Sequence, residues 1–434
     1  MKKTQIILIS AICLLMAHLS PSTGETSDTK DSQIDIKEKK DANMQWWREA
    51  RFGMFIHWGP VSLTGKEIGW SRKGERRDCN GTGDVPAEEY DALYTSFNPV
   101  KFDAAEWVRI AQSAGMKYVV LVAKHHDGFS MFDSKLTDYK ITNSPFKRDV
   151  CAELAKACHD ANMHLGFYYS PPDWHHPDFF TENHDRYIKF LHGQVRELLT
   201  NYGEVDILWF DTDGGKNKPE TWDANQLIAM AHELQPQIMM TKRCAGIGDY
   251  DTPEQHVGAF QRQPWESCIT ICNQWSWKPN DRMKPLIECL RTLILCACGD
   301  GNLLFNVGPM PTGEIEPRQV ERLKEMGQWL AKYGESIYGT RGGPFKPDKG
   351  KRFASTCKGN TVYVHIFGWP DEILKLPTIP AKILSSTVMT GGTAKVTQTS
   401  DYLEISVPPA ERAPIDTIVV LTLDKPALSI APLP

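Results

Sequence analysis

Val205-Asp206-Ile207-Leu208-Trp209-Phe210-Asp211 is an apolar run that ends on a carboxylate and passes at once into Thr212-Asp213-Gly214-Gly215. The run has the length and composition of a buried strand, and the glycines after it mark its stop. In a parallel α/β barrel the reactive side chains stand at the carboxyl ends of the strands, on the rim where the loops begin. That reading puts Asp211 on the rim as a candidate catalyst. Asp206 lies five positions upstream, at the strand entrance, where the rim is out of reach. An aspartate closing a strand is also a common turn former or helix N-cap, so its meaning depends on what the other strands end in.

Working outward, short apolar runs alternate with amphipathic stretches. Strands are expected near 52–58, 118–124, 164–169, 205–211, 237–242, 267–272 and 303–307, with helices at 104–114, 185–200, 222–234 and 317–333. Such alternation builds a parallel sheet covered by helices. Seven strands are legible and an eighth is suspected, which points to an α/β fold, a (β/α)8-type TIM-like barrel. An open doubly wound sheet is the alternative, but no Gly-x-Gly-x-x-Gly follows the first strand, where that fold places its phosphate-binding turn. After Gly339-Thr340-Arg341-Gly342-Gly343-Pro344 the helical period disappears. Runs at 361–367, 394–398, 403–407 and 417–423, separated by Gly, Pro and Asp, read as a C-terminal antiparallel β-sandwich. The expected division is a barrel over 44–340 and a sandwich over 341–434.

The chain has 434 residues, a formal net charge of −5 and 24% charged residues, a balance that suggests no nucleic-acid or anionic-membrane partner. Residues 1–24 combine Met1-Lys2-Lys3, an apolar run from Ile6 to Leu19 and a small, polar end, the three-part form of a secretory signal peptide. The apolar run is shorter than the ~20 residues that cross a bilayer, so the mature chain is expected to be secreted or periplasmic, with no membrane span. Ile12 before Cys13 is not the small residue a lipoprotein cleavage site needs. Residues 25–43 form a charged lead without apolar periodicity. Export permits disulfides. Cys289, Cys296 and Cys298 share one expected helix and Cys151 and Cys158 another, so buried thiols fit as well as bridges. Cys268 and Cys272 lack Cys-x-x-Cys spacing, and no metal is expected.

Three further strand ends carry chemistry. His57 and Trp58 stand near the exit of the first strand, Lys124-His125-His126-Asp127 closes the second, and Tyr168-Tyr169-Ser170-Pro171-Pro172-Asp173-Trp174 closes the third. Imidazoles and indoles at such mouths suit a sugar, whose hydroxyls need donors and acceptors while its C–H faces stack on rings. A lone histidine at a strand end is more often a structural hydrogen bonder. His-His-Asp is also a conceivable metal site, but adjacent strand residues point to opposite faces, so both imidazoles reach one point only across a bend.

Together, Phe52-Gly53-Met54-Phe55-Ile56-His57-Trp58-Gly59, Lys124-His125-His126-Asp127-Gly128-Phe129 and Leu208-Trp209-Phe210-Asp211 resemble the α-L-fucosidases of glycoside hydrolase family 29. The resemblance extends to Gly299-Asp300-Gly301-Asn302-Leu303-Leu304-Phe305-Asn306-Val307-Gly308-Pro309 and Tyr333-Gly334-Glu335-Ser336-Ile337-Tyr338, and so spans about 46–344. It implies a barrel followed by a β-sandwich, cofactor-free retaining hydrolysis of α-L-fucosides, and a fucosylated glycan as the partner. In that mechanism one carboxylate attacks the anomeric carbon, and a second, about 5 to 5.5 Å away, protonates the leaving oxygen and later deprotonates water. The resemblance makes Asp211 the nucleophile. Glu254, in Thr252-Pro253-Glu254, is the favoured acid/base, with Glu266, in Trp265-Glu266, as the alternative. It further implies that His57, His125 and His126 bind sugar hydroxyls, that Trp70, Tyr169 and Trp209 line the pocket, and that Arg243 holds the nucleophile or a hydroxyl. Trp209 or Phe305 would furnish the apolar patch for fucose's methyl.

One stretch departs from the family. Where many members have Glu-Trp-Tyr after the first strand, this chain reads Lys66-Glu67-Ile68-Gly69-Trp70-Ser71-Arg72, leaving open whether Glu67 reaches the sugar. The following loop, with Arg72, Lys73, Arg76 and Arg77, reads as solvated, or alternatively as a contact for a sulfate or carboxylate on a larger glycan. Two rival functions are a hydrolase for a related sugar such as an α-L-galactoside and a glycan-binding protein without turnover.

Overall fold

A computed structural model describes residues 40–212 and 218–433. The expected signal at 1–24, most of the charged lead, and Asp213-Gly214-Gly215 lie outside the described residues. Helical structure is already present over 40–50 (α1), earlier than the expected start at Met44: Asn43 is buried and its Nδ2 donates to Gln237 O at 2.7 Å. The remaining elements of the first unit are β1 (Phe52–Ile56), α2 (Ala87–Ala92), α3 (Ala104–Ser113), β2 (Tyr118–Lys124), α4 (Val150–Asp160), β3 (His164–Tyr169), α5 (His184–Thr200), β4 (Ile207–Phe210), α6 (Ala224–Leu234), β5 (Met239–Met240), β6 (Glu266–Thr270), α7 (Leu286–Cys298), β7 (Asn302–Val307) and α8 (Pro317–Tyr333).

The seven strands form one parallel sheet in the order β5-β4-β3-β2-β1-β7-β6. The suspected eighth stave is the irregular segment 249–255, which bridges both free edges in parallel: Tyr250 to Thr241 on one side, Asp251 to Trp265 and Glu254 to Cys268 on the other. Lys242 N donates to Tyr250 O at 3.0 Å and Cys268 N to Pro253 O at 3.0 Å, so this segment closes the ring. Pro253 has no N–H to offer, which keeps the stave from becoming a regular ladder.

Alternation divides each strand's side chains between two layers. Phe55, Tyr118, Val120, Tyr168, Trp209 and Leu304 form the barrel interior, whereas Val119, Leu121, Phe167, Tyr169, Leu208 and Phe305 pack against the helices. Both faces are buried, which is why these strands read as continuous apolar runs. Gly53 faces inward, and a Cβ there would stand 2.3 Å from the Tyr118 ring, so the missing side chain lets that ring cross the interior.

The second unit holds eight short strands: β8 (Arg341–Gly342), β9 (Phe353–Lys358), β10 (Thr361–Ile366), β11 (Leu374–Pro377), β12 (Ile383–Val388), β13 (Lys395–Gln398), β14 (Tyr402–Ser406) and β15 (Thr417–Leu423). They form antiparallel sheets β12-β15-β10-β9-β8 and β11-β14-β13. Val362, Val364, Val419 and Leu421 of one sheet meet Leu374, Leu376, Leu403 and Ile405 of the other. On the opposite face Ala354, Tyr363, Phe367 and Ile418 join the barrel's outer core, and Arg291 on α7 donates to Ile415 O at 2.9 Å and Phe367 O at 2.8 Å. All ten described cysteines are free thiols, nine of them buried, so the alternative of bridges is set aside for these residues.

Candidate active site

β4 delivers Asp211 to the carboxyl-end rim, just beyond its last residue. Asp211 Oδ1 accepts from Arg243 Nη1 at 2.7 Å and Oδ2 from the Tyr168 hydroxyl at 2.7 Å, with His126 Nε2 at 3.5 Å. Burial pushes this carboxyl up, but the Arg243 charge, His126 and the Tyr168 bond more than offset it and leave it below the ordinary aspartate range. Arg243 also donates from Nη2 to Glu254 Oε2 at 2.8 Å and from Nε to Thr252 Oγ1 at 2.7 Å, and it lies 5.0 Å above the Trp209 ring. One guanidinium therefore holds an oxygen of each carboxylate on two of its nitrogens, across a cavity of about 220 Å³.

His57, His125 and His126 all line that cavity. His57 Nδ1 meets Asn306 Oδ1 at 2.6 Å, and Asn306 Nδ2 donates to Trp275 O at 2.7 Å. Because the amide nitrogen is taken by Trp275, the Asn306 oxygen accepts from Nδ1–H, leaving Nε2 of the neutral ring free for a ligand. Desolvation pulls His57 down to about 3 and His126 to about 4, and it carries His125 well below 6.5, so the three rings are uncharged near neutral pH. His125 Nδ1 is buried without a hydrogen-bond partner. The two adjacent histidines share a side because the chain bends: register shifts between Val122 and Lys124, and Gly128 N closes a turn onto His125 O at 3.0 Å. Among the described residues no group of three or more His, Cys, Asp or Glu is placed to hold a metal ion.

Several expectations are corrected. Tyr169 does not line the cavity: it faces the helices, and its hydroxyl donates to Gln194 Oε1 on α5 at 2.9 Å. Its neighbour Tyr168 takes the inward position, since alternation allows only one of the pair to do so. Phe305 is excluded from the site for the same reason, and the apolar wall is Phe55, Trp209 and Trp275. Glu67 is half-buried and outside the cavity lining; Oε1 accepts from Ser276 N at 3.0 Å and Oε2 from Trp275 N at 2.9 Å, anchoring the loop that carries Trp275. Trp70 stands at the mouth, 42% exposed, edge-on to His126 and Trp174. The basic loop is solvated only in part: Lys73 and Arg77 are exposed, whereas Arg72 is half-buried and Arg76 buried. Arg72 pairs with Asp91, Arg76 lies between the Trp70 and Trp174 rings at 4.9 and 4.6 Å, and Arg77 donates to Pro177 O and Phe179 O.

Glu266 opens β6 on the entrance side and is fully buried beneath Trp209, whose Nε1 donates to it at 3.3 Å; the Tyr118 hydroxyl donates to its other oxygen. Burial lifts this carboxyl to about 7 against the pull of those bonds. Glu266 is not part of the cavity lining, whereas Glu254 is. Asp206 binds Leu165 N at 3.0 Å at the entrance of β4, away from the site. Trp275, Trp174, Asp78 and Cys79, all on loops, also reach the cavity. Their positions carried no periodic signal in the sequence.

A sequence profile of the family described as Alpha-L-fucosidase matches residues 20–335. The chain belongs to this α-L-fucosidase family. An α-L-fucosidase of Branchiostoma floridae is 29% identical over 403 residues, covering 84% of this chain and 86% of that protein. Alpha-L-fucosidase isoenzyme 1 from Paenibacillus thiaminolyticus superposes with a TM-score of 0.80 at 34% identity, over 89% of this chain and 100% of that one. A family 29 α-L-fucosidase from Bacteroides thetaiotaomicron, solved as a trapped covalent intermediate with 2-fluoro-fucosyl fluoride, superposes at 0.77 with 29% identity, covering 88% and 96% of the two chains. These structural relatives share the α-L-fucosidase architecture of barrel and sandwich seen in this chain.

Proposed function

We propose that this chain is a retaining, exo-acting α-L-fucosidase acting on fucosylated glycans, with Asp211 as nucleophile and Glu254 as acid/base. The observation that carries the reading is the Arg243 guanidinium holding Asp211 at 2.7 Å and Glu254 at 2.8 Å on the wall of one cavity. Asp211 is kept ionised by Arg243 and Tyr168, as an attacking carboxylate requires. Its attack on the anomeric carbon forms a glycosyl ester while Glu254, which leaves Arg243 and takes up a proton from water as the substrate binds, gives that proton to the glycosidic oxygen of the leaving group. Water then enters, Glu254 takes its proton, and the ester is cleaved with the original anomeric configuration restored. Glu254 is favoured over Glu266 because the indole of Trp209 stands between Glu266 and the cavity. His57, His125, His126 and Trp70 contact the sugar, and Phe55, Trp209 and Trp275 offer the apolar surface that a C5 methyl needs. That wall favours fucose over α-L-galactose, which carries a hydroxyl there.

The amino-terminal signal directs the chain to an extracytoplasmic space, and among the described residues no helix is long and apolar enough to cross a membrane. The decisive experiment is Asp211→Gly on an aryl α-L-fucoside: turnover should fall by several orders of magnitude, and azide should restore it as a fucosyl azide. Undiminished turnover in D211G, or a product of inverted configuration by NMR in the wild type, refutes the assignment.

A further inference from the structure

The acidic residues lining the cavity are Asp211, Glu254 and Asp78. The first two share Arg243, whereas Asp78 is in no ion pair among the described residues; its side-chain donor from a distant part of the chain is Trp174 Nε1, at 2.9 Å to Oδ1. We propose that Asp78 reads the glycone, accepting a hydroxyl hydrogen of the fucosyl ring on the side of the cavity away from the leaving oxygen. This rests on the fucosidase reading of the site.

Three observations support it. The first is the polar inventory. Sugar hydroxyls donate as well as accept, yet Arg243 only donates, and with Nδ1 engaged by Asn306 and Ser170 the neutral His57 and His126 rings each leave a hydroxyl only the uncharged Nε2. Glu67, three positions before Trp70, is bound to the Trp275 and Ser276 backbone. Asp78 supplies an acceptor that no cation neutralises.

The second is the side of the ring from which it comes. Asp78 sits on the loop after β1 and leans on Trp174 from the loop after β3, while Glu254 belongs to the stave between β5 and β6. In the closed ring these lie on opposite sides, so a leaving group protonated by Glu254 departs away from Asp78.

The third is rigidity. Arg72 is bonded twice to Asp91 at 2.6 Å, Arg76 Nη2 donates to Trp70 O at 2.6 Å, and Arg77 Nη1 donates to Phe179 O at 2.6 Å, fastening the loop ahead of Asp78, while beyond it Gly83 N donates to Arg72 O at 3.1 Å and Val85 N to Ser71 O at 2.9 Å. Burial raises the Asp78 carboxyl above the ordinary aspartate range, the mark of an acceptor partly stripped of water. A hydroxyl donated from the sugar replaces that lost hydration, and preorganisation means little ordering cost on binding.

Asp78→Asn tests this directly, because the amide oxygen can still accept from Trp174 while the other oxygen becomes a donor. With the aryl α-L-fucoside, D78N should lower kcat/KM by roughly 10- to 100-fold, the worth of a hydrogen bond to a charged group, mainly through KM. Competitive inhibition by free L-fucose should weaken to match. In a panel of 2-, 3- and 4-deoxy aryl fucosides, the one lacking the hydroxyl read by Asp78 should lose little further between wild type and D78N, the signature of a direct contact. Asp78→Ser, measured in parallel with both melting temperatures, serves if the amide disturbs the loop. Unchanged KM and L-fucose inhibition in D78N and D78S, or equal losses for all three deoxy sugars, overturns the inference and leaves the fucosidase reading standing. Wild type that neither cleaves the fucoside nor is inhibited by L-fucose overturns both.

Discussion

At Glu266 a single buried carboxyl makes two predictions. Its folded pKa is raised from 4.5 to about 7, so the native state holds the proton more tightly than the unfolded chain does. No stability is lost below pH 4.5; it declines as pH rises from there through about 7 and stays lower above. Glu266→Gln cannot ionise and still offers Trp209 an acceptor. Urea unfolding at pH 8 should therefore find E266Q more stable than wild type by up to roughly 3 kcal/mol, with the two converging toward pH 4.5. Activity separates its role from that of Glu254: E266Q should keep most of its kcat on an aryl fucoside, whereas E254Q should lose about two orders of magnitude or more. A pH-independent difference in stability, or a collapse of kcat in E266Q, contradicts the placement of Glu266 beneath the site.

Elements position the site through their ends, and one loop-to-loop contact shows the cost of losing such an end. Glu67 accepts from Trp275 N, Ser276 N and Ile68 N, tying the loop after β1 to the loop after β6. Through Asn306 the Trp275 carbonyl is also linked to the His57 ring. Glu67→Ala should release Trp275 without touching a reacting atom, and a displacement of about 1 Å at such a position costs on the order of 100-fold in rate. Steady-state kinetics of E67A should show catalytic efficiency reduced by roughly 10- to 100-fold with little change in melting temperature; unchanged kinetics would show that Trp275 keeps its place without the anchor. The end of β2 is set at a distance in the same way. Its apolar run was legible from Tyr118 to Lys124, but the bend beyond it, which brings His125 and His126 to one side, depends on Gly128 packing against Asp173. Nothing local to the histidines announces it.

Across the whole molecule the barrel and the sandwich are fastened at Asp300, between α7 and β7. Its carboxylate, wholly buried, accepts from Arg51 before β1, from Arg262 beside the closing stave and from Arg341 and Gly342 N in β8. Burial pushes Asp300 up, and the arginines overcome this and hold it at about 2. A folded pKa below the unfolded 3.8 means this contribution to stability is present above about pH 4 and is lost as pH falls from there through about 2. Asp300→Asn should leave Arg51, itself buried, without its counter-charge, a loss of about 3–5 kcal/mol typical of a broken buried pair. Thermal unfolding at pH 7 should show a lowered Tm, and the gap from wild type should narrow below pH 4.

The sequence by itself determined the strand-and-helix order, the change to short β-strands after Pro344, and the placement of Asp211 where an apolar strand stops. Those features rest on local period and composition, which are properties of neighbouring residues. Tertiary structure alone decided that Tyr168 and not Tyr169 faces the sugar space, that Glu67 braces a loop, that Glu266 lies under Trp209 while Glu254 shares Arg243 with Asp211, and that 249–255 closes the ring. Each of these depends on which of two adjacent side chains points inward, or on contacts between segments far apart in the chain. A run of buried strand, apolar on both faces, carries no mark of its inner side until the barrel closes around it.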